Sequence, residues 1–182
     1  MKTRSPWITL MILLSTGIIF TLFQSCEKIK DALKVNVNYD LTDHYFTIDS
    51  LSHLKSEQVL YSQTYTANID SLVNANKGSL SDASVSQLQL TVVSPDWVTL
   101  DWLSSARITL TPAGGAPIEV ATSGTINPML KTIDFEVKNV DVASAVTGPF
   151  QLDLYGNLTG PIPAGSVQML LESGLEVTVS PK

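Results

Sequence analysis

The chain is poor in the residues that make catalytic and metal centres. Its 182 residues hold one cysteine, Cys26, and two histidines, His44 and His53. A single cysteine excludes an intramolecular disulfide and any zinc site built on several thiolates. The histidines stand nine positions apart, so no helical turn brings both to one metal, and neither lies near a nucleophile motif. Basic residues are also scarce. Eleven Lys and Arg face seventeen Asp and Glu, a formal charge of −6, which disfavours nucleic acid and anionic lipid surfaces as partners. No sequence motif implies a cofactor or a metal.

What the chain does have is a marked N-terminus. Lys2 and Arg4 lead into an apolar run from Trp7 to Phe23, followed by Gln24, Ser25 and Cys26. A positive start, an apolar middle and a small residue before the break make a secretory signal. The run is close in length to the roughly 20 residues that span a bilayer as a helix, so an uncleaved transmembrane helix is one alternative. Ser15, Thr16, Gly17 and Thr21 weaken that reading. A signal that is simply cleaved, with Cys26 incidental, is the other.

Phe23-Gln24-Ser25-Cys26 resembles the lipobox of Gram-negative bacterial lipoproteins. It departs from that pattern at Phe23, where leucine is usual, and at Gln24, which is bulkier than the common occupant. The resemblance implies that Cys26 is acylated, by palmitate and related chains, and becomes the mature N-terminus. Each buried acyl methylene is worth about 0.8 kcal/mol, and two or more chains anchor stably. The implied division is a signal peptide and lipidation site at 1–26, a tether at 27–33 and one domain at 34–182. Without residues 1–26, nine basic residues face seventeen acidic ones, a formal charge of −8. That suits a domain held beside a membrane by lipid. The tether mixes Lys28, Lys30 and Asp31 with Glu27, and leaves open which face of the outer membrane the domain occupies.

From Lys34 the pattern has period two, the mark of half-buried strands. Val35, Val37 and Tyr39 alternate with polar residues, as do Leu88, Leu90 and Val92, then Ala106, Ile108 and Leu110, then Ile133, Phe135 and Val137. Shorter strands are expected over Tyr45–Ile48 and Val59–Tyr65, and residues 50–57 read as ambiguous, with room for a short helix. Asp70 or Ser71 is expected to cap a short helix that stops at a left-handed Gly78, with a further turn near Ser81. Pro112-Ala113-Gly114-Gly115 turns a hairpin into Ile118 and Val120. Phe150, Leu152 and Leu154 make the next strand. Val167 to Leu171 and Leu175 to Val179 read as two more, with a stiff loop at Gly160–Gly165 before them. Eight or so short strands with little helix indicate an all-β antiparallel two-sheet sandwich, Ig-like in general architecture, with one or two short helices.

Leu90-Thr91-Val92-Val93-Ser94-Pro95-Asp96 and Leu100-Asp101-Trp102-Leu103 are similar to stretches of a group of small Gram-negative lipoproteins. There a short helix, a strand and a Ser-Pro-Asp turn precede a hairpin and further strands. Trp97 departs from the group, where glycine commonly follows the aspartate. The resemblance implies fold and address, and no site.

Asp96-Trp97 and Asp101-Trp102 form the one eye-catching constellation. Two indoles beside two carboxylates make a stacking platform for a sugar ring; alternatively the indoles close the end of a core and the aspartates sit in solvated turns. The same carboxylates are the only nameable acid pair for a glycan hydrolase. Asp40, Asp43 and Asp49 lack the spacing of a calcium loop. Asp49-Ser50-Leu51 and Asp70-Ser71-Leu72 match a short word at which some bacteria O-glycosylate exported proteins, which makes Ser50 and Ser71 candidates for modification. The favoured expectation is a non-enzymatic, lipid-anchored interaction or structural module of the cell envelope, with an unknown protein or glycan partner. A glycan- or peptide-binding accessory lipoprotein and a small envelope glycan hydrolase are the alternatives.

Overall fold

The computed structural model describes residues 34–49 and 57–181. The signal stretch with Cys26, the 27–33 tether and the ambiguous 50–56 segment with Ser50 and His53 lie outside the described residues. Among these are ten strands and two short helices: β1 (Val35–Asp40), β2 (His44–Asp49), β3 (Glu57–Thr66), α1 (Ile69–Ala75), β4 (Gly78–Ser94), β5 (Leu103–Pro112), β6 (Ile118–Thr122), β7 (Thr132–Asp134), β8 (Glu136–Val137), α2 (Ala143–Val146), β9 (Pro149–Leu158) and β10 (Ser166–Pro181). All pairings are antiparallel, and they form two sheets. The expected all-β sandwich is the fold observed.

The first sheet runs β1-β10-β4-β7, and the second β3-β9-β5-β6-β8. β2 also pairs with β10, so β1 and β2 lie end to end along one edge of it: Val35–Asp40 opposes Gly174–Val179, and His44–Asp49 opposes Ser166–Leu171. The two central pairs fill the core by period-two alternation. β10 points Val167, Met169, Leu171, Leu175, Val177 and Val179 inward against Phe150, Leu152 and Leu154 of β9 and Ile108 and Leu110 of β5, all buried. Gly156 leaves room on β9, because a Cβ there would stand 2.5 Å from Leu60 Cδ1 and 2.7 Å from Leu103 Cδ1.

Three elements differ from the sequence expectation. β10 is one strand, not two, because β4 pairs with it along its whole length, from Pro181 opposite Gly78 to Gln168 opposite Ser94. β10 keeps one phase from Val167 to Val179, and it is β4 that changes phase by a bulge: Gly174 faces Gln87 and Leu175 faces Val85, so Ser86 is the extra residue. The expected turn near Ser81 is likewise part of β4. Its polar first half shows little alternation, and only the partner strand makes it extended. Ile133, Phe135 and Val137 do not lie on one strand. β7 pairs with β4 and β8 pairs with β6, so the chain crosses between the sheets at Phe135, whose N–H donates to Leu88 O at 3.0 Å.

The cap of α1 is Asn68, whose Oδ1 accepts from Ser71 N at 3.3 Å, rather than Asp70 or Ser71. The left-handed residue after the helix is Lys77, with φ of 50°, and not Gly78. Gly78 is required for a different reason. A Cβ there would lie 2.3 Å from Val179 Cγ1 and 2.5 Å from Ser180 O.

The open edge of β4 is guarded at Ala83. Asp141 Oδ1 accepts from Ala83 N at 3.3 Å and from Ala143 N at 2.8 Å, while Val142 N donates to Ala83 O at 2.7 Å. An unpaired edge invites a further strand, and this crossing segment occupies its middle. The backbone bonds hold Asp141 below the usual carboxylate range, while burial and the neighbouring Asp141 raise Asp82.

Strand direction gives the sandwich two poles. Lys34, Pro181, α1 and the 113–117 turn share one pole, where the described chain enters and leaves. The loops 95–102, 123–131 and 159–165 share the other. At about 3.3 Å per residue, β4 sets the poles roughly 50 Å apart.

Candidate functional site

The far pole carries the residues singled out in the sequence. The peptide joining Ser94 to Pro95 is cis, and Val98 N closes the turn onto Pro95 O at 3.1 Å. The loop then divides its side chains. Val98, Leu100, Trp102 and Leu103 fold inward and are buried, whereas Asp96, Trp97 and Asp101 stay outside.

The two indoles therefore do not form a platform. Trp102 is 2% exposed and belongs to the core; Trp97 is 66% exposed. The turn explains the split: Trp102 lies just before β5, next to the inward-facing Leu103, and Thr159 fixes it there. Thr159 N donates to Trp102 O at 2.8 Å and Thr159 Oγ1 to Asp101 O at 2.7 Å. Trp102 Nε1 is buried without a partner. Of these two indoles, Trp97 alone offers a ring face to solvent.

The carboxylates are equally unlike a catalytic pair in their surroundings. The Asp96 side chain is 99% exposed, with Lys131 Nζ 3.8 Å from its Oδ1. Asp96 stands in open solvent on the outside of the loop. Asp101 is exposed, and the hydrogen bond at this residue is made by its backbone oxygen.

Two further exposed apolar residues, which carry no sequence motif, lie on the neighbouring 123–131 loop at the same pole. Met129 is 84% exposed and Leu130 is 51% exposed. The two loops are joined: Leu100 N donates to Leu130 O at 3.0 Å, Val92 N to Lys131 O at 2.8 Å, and Lys131 reaches Asp96. Asn127 shapes the second loop, with its Oδ1 accepting from Met129 N at 3.0 Å and its backbone oxygen from Leu130 N at 3.2 Å. An asparagine–proline turn that presents two large apolar residues in succession was the sequence sign of this feature. Trp97, Met129 and Leu130 thus stand exposed on two tied loops at this pole, an apolar tip that shares the loops with Asp96, Asp101 and Lys131.

Ser71 is exposed in the first turn of α1, at the opposite pole. His44 packs inward at the sandwich edge, its ring 5.0 Å from that of Tyr65 and edge-on to it, while Phe46 stacks on Tyr61 at 4.2 Å. Asp49 closes β2 opposite Ser166, whereas Asp40 and Asp43 lie beside one cleft near the middle of β10. Among the described residues no group of three or more His, Cys, Asp or Glu is placed to hold a metal ion, and no helix is long and apolar enough to cross a membrane.

No family model matches the chain, and no curated protein matches it. Among solved structures it is similar to a candidate secreted protein from Eubacterium rectale, at 15% identity and a TM-score of 0.46, covering 81% of this chain and 40% of that one. It is also similar to the P-domain of Macrobrachium rosenbergii nodavirus, at 13% identity and a TM-score of 0.29, covering 81% and 94% of the two chains. The infectious bursal disease virus Gx strain structure matches at 12% identity and a TM-score of 0.25, over 81% and 42%. The chain spans about 40% of the length of the Eubacterium rectale protein. At these identities the likenesses lend no site and no activity.

Proposed function

We propose that this chain is an exported, lipid-anchored protein of the cell envelope, and that its sandwich is a non-enzymatic interaction module. The anchor is Cys26, and the working surface is the tip formed by Trp97, Met129 and Leu130. The observation that carries this reading is the placement of that tip. Lys34, eight positions after Cys26, enters at one pole, and the exposed apolar residues stand at the other. A seven-residue tether reaches at most about 25 Å when extended, so a domain held through Cys26 would present its far pole away from the bilayer. Exposed apolar groups on fixed loops with a polar rim are the form of a partner-binding surface. The partner is a protein or, through Trp97 beside Asp96, a glycan.

Two variants test the reading. Cys26→Ala in a Gram-negative host should move the protein from the membrane fraction to the soluble envelope fraction; continued membrane association would refute the anchor. A photoreactive residue at position 97 should cross-link a defined envelope component, and Met129→Ser with Leu130→Ser should abolish the product without lowering the melting temperature. Equal cross-linking from Tyr45, which is exposed on β2, would refute the tip as the working surface. A glycan array probed with the same variants separates the sugar partner from the protein one.

A further inference from the structure

Two methionines of the sandwich stand in opposite surroundings. Met129 is 84% exposed on the 123–131 loop, whereas Met169 is 0% exposed within β10. The other two in the sequence, Met1 and Met11, belong to the signal stretch, and the single cysteine, Cys26, also precedes the domain. Residues 34–182 therefore carry no thiol. Sulfur side chains are where peroxide-class oxidants act on a protein, and exposure decides which of them reacts. The Met129 thioether is thus the first oxidisable sulfur of this domain that an oxidant in solution meets.

The local structure lets Met129 change without harm to the fold. Its loop is held by backbone groups and by Asn127: Asn127 Oδ1 accepts from Met129 N, Asn127 O accepts from Leu130 N, and Leu130 O accepts from Leu100 N. None of these bonds uses the Met129 side chain. Met169 is the reverse case. It pairs with Val92 of β4 and Phe46 of β2 and faces the core. An oxygen added there would be a buried polar atom in apolar surroundings, which is costly, and the core that would suffer also keeps oxidants out. Leucine at position 129 would serve an exposed apolar tip as well as methionine does. Methionine differs in being a large apolar side chain that a mild oxidant converts into a polar one, and that reduction restores.

We propose that Met129 is a reversible modification site, oxidised to the sulfoxide by a peroxide, and that the modification turns the tip polar and releases its partner. The release rests on the tip being the working surface; the modification does not. In the forward step the thioether sulfur attacks one peroxide oxygen, an S–O bond forms and the O–O bond breaks. The sulfur loses two electrons, and the second oxygen leaves with both protons as water. In the reverse step a dithiol reductase supplies two electrons and two protons, the S–O bond breaks, and water leaves again.

Peptide mass mapping of the full chain in an uncharged detergent, after timed exposure to hydrogen peroxide, tests the site. One added oxygen should appear on the Met129 peptide at least about tenfold faster than on the Met169 peptide, with the melting temperature unchanged. Methionine sulfoxide reductases with a dithiol should remove it. A Met129 that stays reduced, a Met169 that keeps pace, or a product that the reductases leave in place would overturn the modification. The release is read with the photoreactive residue at position 97. Peroxide should cut the cross-linked product of the parent by at least about fivefold, and should leave that of Met129→Leu at its own untreated level. A parent product that survives oxidation, or a Met129→Leu product lost alike, overturns the release. No product from untreated protein would refute the tip and the release with it, while the peptide masses would still decide the modification.

Discussion

Arg107 grips Glu57 across an intervening strand. Its Nε and Nη2 donate to the two carboxylate oxygens of Glu57 at 2.7 and 2.6 Å, while its guanidinium lies 4.1 Å from the centre of the Tyr155 ring. Glu57 opens β3, Tyr155 is on β9 and Arg107 on β5, so one side chain ties three adjacent strands of the second sheet. Glu119 of β6 stands 3.8 Å from its Nη1 and also pairs with Lys138.

Loss of this clasp should be felt mainly in acid. The hydrogen bonds from Arg107 hold Glu57 below its ordinary value of 4.5. A depressed carboxylate contributes stability that is fully present above its unfolded pKa and fades as the pH falls through the folded value. Arg107→Ala should therefore lower stability by about 1–2 kcal/mol near neutral pH, from a half-exposed bidentate pair and a cation–π contact together. The gap between parent and variant should narrow as the pH falls below the ordinary value of 4.5, leaving the cation–π share. Urea unfolding followed at several pH values measures both.

The helix-to-strand junction makes a paired prediction. Lys77 holds a left-handed backbone that glycine adopts at lower cost, so Lys77→Gly should stabilise the fold by up to about 1 kcal/mol. Gly78→Ala, one residue later, should destabilise it by about 2–3 kcal/mol, because its Cβ would strike Val179 and the Ser180 backbone. Thermal melts of the two variants should shift in opposite directions. A shift of the same sign would mean that the two residues exchange roles.

Tyr65 sets an alkaline limit. Its phenol is raised above the ordinary value of 10 by burial first. A raised group contributes stability below the unfolded pKa that is lost as the pH climbs past it. The parent should therefore weaken above about pH 10. Tyr65→Phe keeps the stacking on Phe150, whose ring centre lies 5.7 Å away, and removes a buried hydroxyl that makes no well-formed hydrogen bond. It should equal or exceed the parent by about 0.5–1 kcal/mol at neutral pH and hold its stability further into alkali. Unfolding monitored by fluorescence between neutral and strongly alkaline pH decides this.

Much of the fold was legible because alternation is a local property. Val35 to Tyr39, Leu88 to Val92, Ala106 to Leu110 and Phe150 to Leu154 each carry period two within five residues, and each is a strand. What failed depended on partners. The stretch between Leu171 and Leu175 reads as a gap until β4 pairs across it, and the stretch near Ser81 reads as a brief turn until β10 pairs with it. Phe135 sits mid-pattern, yet the chain crosses between sheets there because each flank finds a different neighbour. The candidate site was half legible. Asp96-Trp97 announced the tip, but the burial of Trp102 depends on how the turn enters β5 and on Thr159, more than fifty residues on.

The end-to-end arrangement of β1 and β2 on β10 has a mechanical consequence. β1 begins at the pole from which the tether leaves and runs along β10 toward the tip. A pull on Lys34 directed away from the tip therefore acts parallel to β1 and across the six residue pairs that join it to β10. Those hydrogen bonds bear the load together, in shear, instead of opening one after another like a zip. If the tip is held by a partner and the N-terminus by a membrane, tension between the two surfaces falls on the joint best arranged to resist it.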